Sequence, residues 1–526
     1  MLTALTFSPL LGIVFLLLIP RSGPQCNNVD LSSHTVNLER LVAVLSALIT
    51  LILSAFVTVA LDRNYPGLQF VESYSWIPAL GVSFSLAVDT LSVWFLPLTA
   101  FLTLLVIVSS SSVHKHHRGY LIMLLLLEVG MLGAFLAIEG VTFYVFWELM
   151  LIPMYFLIGV WGGPRRIYAA IKFVLFTALG SLLMLVAIVY LGYLHATQFG
   201  DWSFVLSDWT RLRFSPTAEM WLFAAFALAF AIKIPVFPLH TWLPDAHVEA
   251  PTGGSVILAG VLLKLGLYGI LRFCVPLFPH AVIAAAPLFV VLGVIGIIYG
   301  ALVAWAQTDM KKLVAYSSVS HLGFCVLGFA SLSVAGVQGS LLQMLNHGIS
   351  TSALFFIVGV LYDRKHSRLI ADYRGLAHKV PWFAFFFLVF TFSSIGLPLT
   401  NGFVGEFLIL LGMFSKSYVI AAIAATGVVL GAIYMLSLYR RVVFGKFNQE
   451  ANADLTDLSF RERAVFWPLA ILVFLIGVYP NCMLDSLRTA ATQVVSELSM
   501  PSNVPNKNLP NIDLPSNSLR DGLVKE

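Results

Sequence analysis

Apolar runs long enough to cross a membrane recur along the whole chain. A hydrophobic stretch of about 20 residues spans the hydrocarbon core of a bilayer as a helix. The pattern predicts fourteen such spans, at residues 3–20, 40–61, 84–110, 119–139, 141–161, 167–195, 219–248, 252–274, 281–306, 312–331, 337–362, 381–412, 417–440 and 464–486. The predicted fold class is therefore an all-α integral membrane protein.

Two of the predicted spans contain an internal break. The seventh span includes the segment IKIPVFPLHTWLP, with three prolines, and the twelfth includes SSIGLPLTNGFVG, with proline and glycine. Proline removes a backbone hydrogen-bond donor and kinks a helix. We predict that both spans are discontinuous near the middle of the membrane, where protein or a water-filled cavity must cover the exposed backbone.

The two predicted breaks lie five spans apart, so the broken helices run in opposite directions. This arrangement is typical of inverted-topology repeats, here spans 4–8 and spans 9–13, although the halves share little residue-level similarity. The resulting domain prediction is residues 1–117 for spans 1–3, 118–275 for the first repeat, 280–441 for the second repeat, 442–500 for the last transmembrane helix and 501–526 for a disordered tail rich in Pro, Asn and Ser.

Composition agrees with the span pattern and excludes several classes of function. Hydrophobic residues make up 59% of the chain and charged residues 11%, against roughly 25% charged in soluble domains. The basic residues concentrate in alternate connections, which places both termini on the outer side of the membrane. They form no continuous stripe, so a nucleic-acid partner is not expected. The four cysteines show no CxxC spacing, so neither a metal site nor an iron–sulfur cluster is predicted on this chain.

Several ionisable side chains lie inside the apolar runs. A charge at the bilayer centre costs about 2.5–3.5 kcal/mol on insertion scales, so each such residue is a candidate functional group. The candidates form a row with an acid at each end, and they are Glu148, Lys233, Lys264, His321, His347 and Glu406, with Lys172 and His240 as additional candidates. We predict that this row is a proton path.

The first acid and the first lysine of the row suggest a switch. Burial favours the neutral form of a lysine, whereas a neighbouring carboxylate favours its charged form. We expect Glu148 and Lys233 to form a pair, so that movement of the acid releases the lysine proton. Lys264 and the two histidines would then pass the proton on.

Structural roles remain open for these candidates. Glu148 and Lys233 could form a static ion pair, and His321 could be a hydrogen-bonded core histidine. Lys172 lies near a span end, where its ammonium group could reach the membrane interface. The remaining buried or span-end groups could be capping residues or be satisfied by helix neighbours, and they are Asp89, Glu128, His240 and His247.

Long segments of the chain resemble a known family. They are FWELMLIPMYFLIGVWGG, AFAIKIPVFPLHTWLPDAHVEAPTGGSVILAGVLLKLGLYGILRF, DMKKLVAYSSVSHLGF, QMLNHGISTSALFFIVGVLYDR and IGLPLTNGFVGEFLIL. These segments resemble the antiporter-like subunits of proton-pumping NAD(P)H-quinone oxidoreductase, respiratory complex I, and within them the chain 4 (subunit M) branch. The resemblance covers roughly residues 80–440.

The resemblance implies a fourteen-helix fold with two inverted five-helix repeats. It also implies a complex whose other subunits carry FMN and iron–sulfur clusters and reduce a quinone, with no cofactor on this chain. The partners would be the other membrane subunits, including the sister antiporter-like chains, and the lipid bilayer. The family's proton-path residues fall on the six positions Glu148, Lys233, Lys264, His321, His347 and Glu406, and the acid at Glu406 distinguishes chain 4 from its sisters, which carry lysine there.

The expected function is proton translocation driven by electron transfer from NAD(P)H to quinone on other subunits. The first alternative is a subunit of a multisubunit cation/proton antiporter or a membrane-bound hydrogenase, and a stand-alone solute carrier is a further one. Chain 5 of complex I would need a long lateral helix after span fourteen, which the short proline-containing remainder cannot provide. We expect a multi-pass protein of a bacterial inner membrane, or of a thylakoid membrane in a photosynthetic source.

Overall fold

The computed structural model describes residues 1–20, 29–447, 452 and 454–499. The predicted tail at 501–526 lies outside the described residues, as does Cys26. The fold is helical apart from one two-stranded antiparallel sheet.

The elements follow one another along the chain as a series of helices with a hairpin after the second. They are α1 (Leu2–Leu18), α2 (Val29–Ala60), β1 (Gln69–Ile77), β2 (Val82–Val88), α3 (Phe95–Ser109), α4 (His117–Leu136), α5 (Gly140–Leu149), α6 (Leu151–Trp161), α7 (Arg166–Phe199), α8 (Leu206–Trp209), α9 (Pro216–Lys233), α10 (Trp242–Glu249), α11 (Thr252–Ile257), α12 (Lys264–Gly269), α13 (Val275–Leu277), α14 (Pro279–Trp305), α15 (Met310–Ala330), α16 (Val334–Lys365), α17 (Pro381–Ser394), α18 (Asn401–Phe414), α19 (Tyr418–Val443), α20 (Phe460–Val478) and α21 (Asn481–Ser499). We call α4–α13 the first half and α14–α19 the second half.

The helices account for the predicted spans. In the described part of the chain, 11 helical stretches are long and apolar enough to cross a membrane. Shorter apolar helices account for the first and twelfth predicted spans, namely α1 and the broken pair α17 and α18. The fourteenth corresponds to α20, which passes the same test together with α21, against which it is bent. The predicted fold class is confirmed, and the repeat boundaries 118–275 and 280–441 stay a prediction.

The third span is shorter than predicted. Residues 84–88 belong to strand β2, and helix α3 begins at Phe95. Between them Asp89 closes a turn, because its Oδ1 accepts hydrogen bonds from the backbone N–H groups of Leu91 and Ser92. Asp and Ser side chains that bond the nearby backbone favour turns over helix. The apolar pattern alone did not reveal this turn or the β1–β2 hairpin.

The last predicted span, 464–486, is also divided. Helix α20 ends at Val478, and α21 leaves it at an angle of 67° after Pro480. Helix α21 packs against the bundle through side-chain hydrogen bonds. Gln338 Nε2 donates to the Leu484 carbonyl at 2.8 Å, and Trp94 Nε1 donates to Ser486 Oγ at 2.6 Å. These two bonds tie α21 to α16 and to the segment before α3.

Three spans form the centre of the bundle. Helices α15 and α16 and the stretch Thr252–Leu277 are buried almost all round, whereas α7, α14 and α19 expose one side. A helix that is apolar on every side is typical of such a central position. Polar side chains on the central helices are therefore shielded from lipid by the outer ones.

Both predicted breaks are present. Helix α9 ends at Lys233 and α10 begins at Trp242, with Pro235 at φ +28° between them. Helix α17 ends at Ser394 and α18 begins at Asn401, after Gly396 at φ +69°. Each break places an ionisable side chain beside non-helical backbone, which is tolerated at membrane depth only where protein or a water-filled cavity surrounds it.

Candidate functional site

Four of the candidate residues form a nearly continuous chain of polar contacts in the bundle centre. Lys264 Nζ lies 2.7 Å from His347 Nδ1, and the rings of His347 and His321 have centroids 5.8 Å apart. His321 Nδ1 lies 3.0 Å from Glu406 Oε1, and its Nε2 lies 3.3 Å from Ser394 Oγ. All four residues are buried. The only gap between neighbours is the one between the two histidine rings.

An irregular helix positions Lys264. Its span contains two π-helical segments, Leu258–Leu262 and Ile270–Cys274, on either side of α12. Lys264 Nζ also donates to the carbonyl of Ala259, five residues earlier. Single π-turns inside α-helices occur frequently at functional sites, because they free backbone carbonyls from the regular ladder. Here a carbonyl of the π-helical segment helps to hold a fully buried ammonium group.

The second break brings Glu406 close to the backbone of the preceding segment. A Cβ atom at Gly396 would lie 3.0 Å from Glu406 Oε2, and Gly396 has a positive φ that favours glycine. Gln343 Nε2 donates to Glu406 Oε1 at 3.1 Å. The carboxylate is thus held by one amide and one histidine, and no Lys or Arg side chain forms an ion pair with it among the described residues.

Amide and hydroxyl groups cover the backbone of the second break. Asn346 Nδ2 donates to the Asn401 carbonyl at 2.7 Å, and Ser393 Oγ donates to Asn401 Oδ1 at 2.6 Å. Ser350 Oγ contacts both Ser393 Oγ and Asn401 Nδ2. These groups replace the hydrogen bonds that the interrupted helix cannot make.

The first break places Lys233 against aromatic rings. Its Nζ lies 5.0 Å from the centroid of Trp147 and 5.8 Å from that of Phe173, and it has no hydrogen-bond partner among the described residues. The predicted direct pair with Glu148 is therefore wrong for this structure. Glu148 follows Trp147 on α5, and successive helix residues point about 100° apart, so the ring and not the carboxylate faces Lys233. Glu148 remains close enough to act on Lys233 electrostatically.

Glu148 itself is partly buried and loosely held. Tyr144, one helical turn before it, lies within hydrogen-bonding reach of both Glu148 and Ser181. Glu148 Oε1 has no partner within the described ranges. The acid at the start of the row is therefore free to change its position at little cost in hydrogen bonds.

The additional candidates also lie in the first half. Lys172 does not reach for the membrane interface, because its Nζ pairs with Asp245 Oδ2 at 2.7 Å. His240 packs against Phe237 and Tyr299, with ring centroids 5.7 Å and 5.2 Å away. These contacts place Lys172 beside the half-helix α10 and His240 in the break, outside the chain that joins Lys264 to Glu406.

The sequence interpretation missed a buried ion pair. The two guanidinium nitrogens of Arg272 contact the two carboxylate oxygens of Asp89, each at 2.7 Å, and Arg272 Nε donates to Tyr268 at 3.0 Å. Asp89 had no assigned role, and Arg272 stands near a span end, where a basic residue indicates topology. The sequence signal for this pair was an acid inside one predicted apolar span and a base inside another.

Glu128 and His247 differ from the structural roles considered for them, which were satisfaction by helix neighbours for Glu128 and a capping or loop role for His247. Both oxygens of Glu128 and both ring nitrogens of His247 lack a hydrogen-bond partner in the part of the chain that the structure describes. His247 stacks on Phe355 at a centroid distance of 4.6 Å. No group of His, Cys, Asp and Glu among the described residues has the geometry to hold a metal ion.

The fold and the site define a class of protein: a multi-span helical membrane protein with a buried row of ionisable groups beside two broken helices. The chain belongs to the NADH:quinone oxidoreductase/Mrp antiporter transmembrane family, which matches residues 137–432. NADH-quinone oxidoreductase subunit M of Rickettsia bellii is 44% identical over 481 residues, covering 91% of this chain and 95% of the relative.

Two solved structures have the same fold. A chain of respiratory complex I from Thermus thermophilus matches with a TM-score of 0.83 and 32% identity, over 95% of this chain and all of its own length. A chain of the Mrp complex from Dietzia sp. DQ12-45-1b matches with a TM-score of 0.76, over 94% and 99% of the two chains, at 20% identity. The second likeness concerns the fold alone.

Proposed function

We propose that this chain carries protons across the membrane through the contacts that join Lys264, His347, His321 and Glu406. The observation that carries the proposal is this chain of titratable groups, buried in the bundle centre and leading to the second broken helix. Each member holds or releases a proton, and titratable groups at such positions are typical of proton relays. The chain acts as the proton-translocating membrane subunit of an NADH-quinone oxidoreductase, as the identity with subunit M supports.

Electron transfer belongs to other subunits of the same complex. The proposal assigns FMN, iron–sulfur clusters and quinone to partner subunits, and the oxidation of NAD(P)H to them as well. The described residues of this chain provide helices and proton-exchanging side chains. The chain is thus a subunit of a translocase that performs no redox step itself, and its partners are the other membrane subunits of that complex.

The proposed order of proton transfers runs from Lys264 in the first half to Glu406 in the second half. A proton leaves Lys264 Nζ for His347 Nδ1 along the 2.7 Å contact, and His347 then releases a proton from Nε2. The two histidine rings are 5.8 Å apart, so rotation of one ring or one intervening water completes the next transfer. His321 Nδ1 finally passes the proton to Glu406 Oε1 over 3.0 Å.

The first half controls when Lys264 receives or loses its proton. Lys233 is buried against Trp147 and Phe173, and cation–π contact stabilises its charged form by about 2 kcal/mol when desolvated. That contact does not replace a carboxylate, so the position of Glu148 decides how stable the ammonium is. Movement of Glu148 therefore acts as the switch, through space rather than through a direct ion pair.

A cation/proton antiporter is the second candidate function. The likeness to the Mrp complex favours it at the level of fold. Identity over nearly the whole length to a subunit M, together with the acid at Glu406, favours the quinone-linked function. Copurification with redox subunits separates the two functions, because an antiporter complex would lack them.

The proposal is tested by Lys264→Met in the complete complex. In inverted membrane vesicles with verified assembly, we expect NADH-driven proton uptake to fall at least about tenfold, because a positioned proton-transfer group typically contributes 10²–10⁴-fold. Lys416→Met is the matched control, because Lys416 is exposed in the connection between α18 and α19. Normal proton uptake in assembled Lys264→Met complex would overturn the proposal.

A further inference from the structure

The half-helix α10 is an isolated helical segment whose end needs external partners. It has eight residues and follows the first break. The last carbonyls of any helix lack intrahelical donors and carry partial negative charge. At membrane depth these carbonyls require donors from the rest of the protein.

Donors come from both halves of the molecule. In the first half, Ser255 Oγ donates to the His247 carbonyl at 3.0 Å, and the backbone N–H of Gly163 donates to the Glu249 carbonyl at 2.9 Å.

The second half supplies two cationic donors. Arg368 Nη1 donates to the carbonyl of Val248, and Lys311 Nζ donates to the carbonyl of Ala250. Lys311 is in the first turn of α15, and Arg368 is in the connection between α16 and α17. Two cations thus stabilise the negative end of a helix that belongs to the first half.

These two cations are fixed to each other. Asp309 Oδ2 lies 3.4 Å from Arg368 Nε, and Asp309 Oδ1 accepts the backbone N–H of Lys311 at 2.7 Å. The backbone N–H of Met310 donates to the Arg368 carbonyl at 2.9 Å. Asp309, Lys311 and Arg368 therefore form one unit, which we call the α10 latch.

The side chains of α10 bind the first half. Asp245 pairs with Lys172 of α7 at 2.7 Å, and Glu249 Oε2 accepts the backbone N–H of Arg165 at 2.9 Å. Between these anchors His247 stacks on Phe355 of α16. The half-helix is therefore held from both sides. The first half binds its carboxylates and two of its carbonyls, and the second half binds the carbonyls of Val248 and Ala250.

We propose that Lys311 and Arg368 are positioning residues that couple the two halves through α10. The helix α15 that starts at the latch carries His321, and the helix α16 that ends before it carries His347. When the Lys172–Asp245 pair moves α10, the α10 latch transmits the movement to α15 and α16. The positions of His321 and His347 change as a result. This inference rests on the proposed function and adds the mechanical link between its two halves.

The experiment compares Lys311→Met, Lys311→Arg and Lys312→Met in the complete complex. Lys312 is the next residue on α15, and among the described residues its side chain forms no hydrogen bond or ion pair with α10. We measure proton uptake per assembled complex together with quinone reduction. We expect Lys311→Met to lower proton uptake about three- to tenfold, which is the range of effects seen when residues that couple two sites are mutated. Lys311→Arg should restore most of the uptake, and Lys312→Met should leave it unchanged.

A double variant tests the coupling itself. Lys172→Met combined with Lys311→Met should lose little more than the larger single effect, because both act through α10. Multiplying losses would contradict the proposal, as would normal proton uptake per assembled complex in Lys311→Met. If Lys311→Met does not assemble, Arg368→Gln replaces it, because Arg368 is partly exposed. Its proton uptake per assembled complex is then judged by the same criteria. Loss of uptake in Lys264→Met with normal uptake in the latch variants would reject the latch and keep the proposed function.

Discussion

The two broken helices hold their ionisable groups in different ways. At the first break Lys233 lies over the faces of Trp147 and Phe173, and its ammonium group has no hydrogen-bond partner in the described chain. At the second break Glu406 is bonded directly to His321 and Gln343. The two breaks therefore serve different purposes. The first holds a charge against aromatic rings, and the second belongs to a chain of contacts that can exchange protons.

This difference indicates a division of labour. A buried cation without a direct counter-ion responds strongly to any carboxylate that approaches it, because the local dielectric constant is low. Hydrogen-bonded neighbours, in contrast, exchange protons over short distances with little movement. The first break is therefore suited to sensing a charge, and the chain of contacts from Lys264 to Glu406 is suited to moving a proton.

The largest effect should come from breaking the chain in the second half. His347→Phe removes the ring between Lys264 and His321, and we expect proton uptake to fall at least about tenfold in assembled complex. His240→Phe is the matched change at the first break, where the histidine ring packs against Phe237 and Tyr299. Uptake that falls equally in both variants would contradict the difference between the halves.

A moderate effect should follow from removing the ring beside Lys233. In Trp147→Leu the ammonium loses a cation–π contact of about 1 kcal/mol, so we expect roughly a fivefold loss of proton uptake. Trp467→Leu provides the control, since Trp467 is exposed on the bundle surface. A normal rate in Trp147→Leu would show that the ring does not stabilise the charge of Lys233 during turnover.

The smallest effect should come from Gly396→Ala. Alanine at φ +69° is strained by about 1–2 kcal/mol, and its Cβ would lie 3.0 Å from Glu406 Oε2. We expect Glu406 to shift slightly and proton uptake to fall about threefold. Gly431→Ala is the control, because a Cβ there meets nothing within 4 Å. Equal rates for the two variants would mean that the close approach of Gly396 to Glu406 has no role.

Residue chemistry made much of this architecture predictable. The lengths of the apolar runs predicted the spans. Pro235 and Gly396 predicted the breaks, because the effect of proline and glycine on the backbone is local. The acids, lysines and histidines of the row could be named because a charge inside hydrocarbon is costly wherever it lies.

Other features depend on contacts between distant residues. Asp89 and Arg272 are 183 positions apart, and no local pattern pairs them. Trp147 rather than Glu148 faces Lys233 because of the rotation of α5, which packing determines. The turn at Asp89 and the bend at Pro480 are single polar or proline positions that a hydropathy window averages away.

In the proposed route, a proton arrives at Glu406 through Lys264 and the two histidines. Infrared difference spectra of the complete complex, recorded on addition of NADH and quinone, report protonation of carboxyl groups directly. We expect the unaltered complex to show a carboxylic acid C=O band that is absent in Glu406→Gln and strongly reduced in Lys264→Met. A band that persists in Glu406→Gln, or that is unchanged in Lys264→Met, would contradict the proposed route.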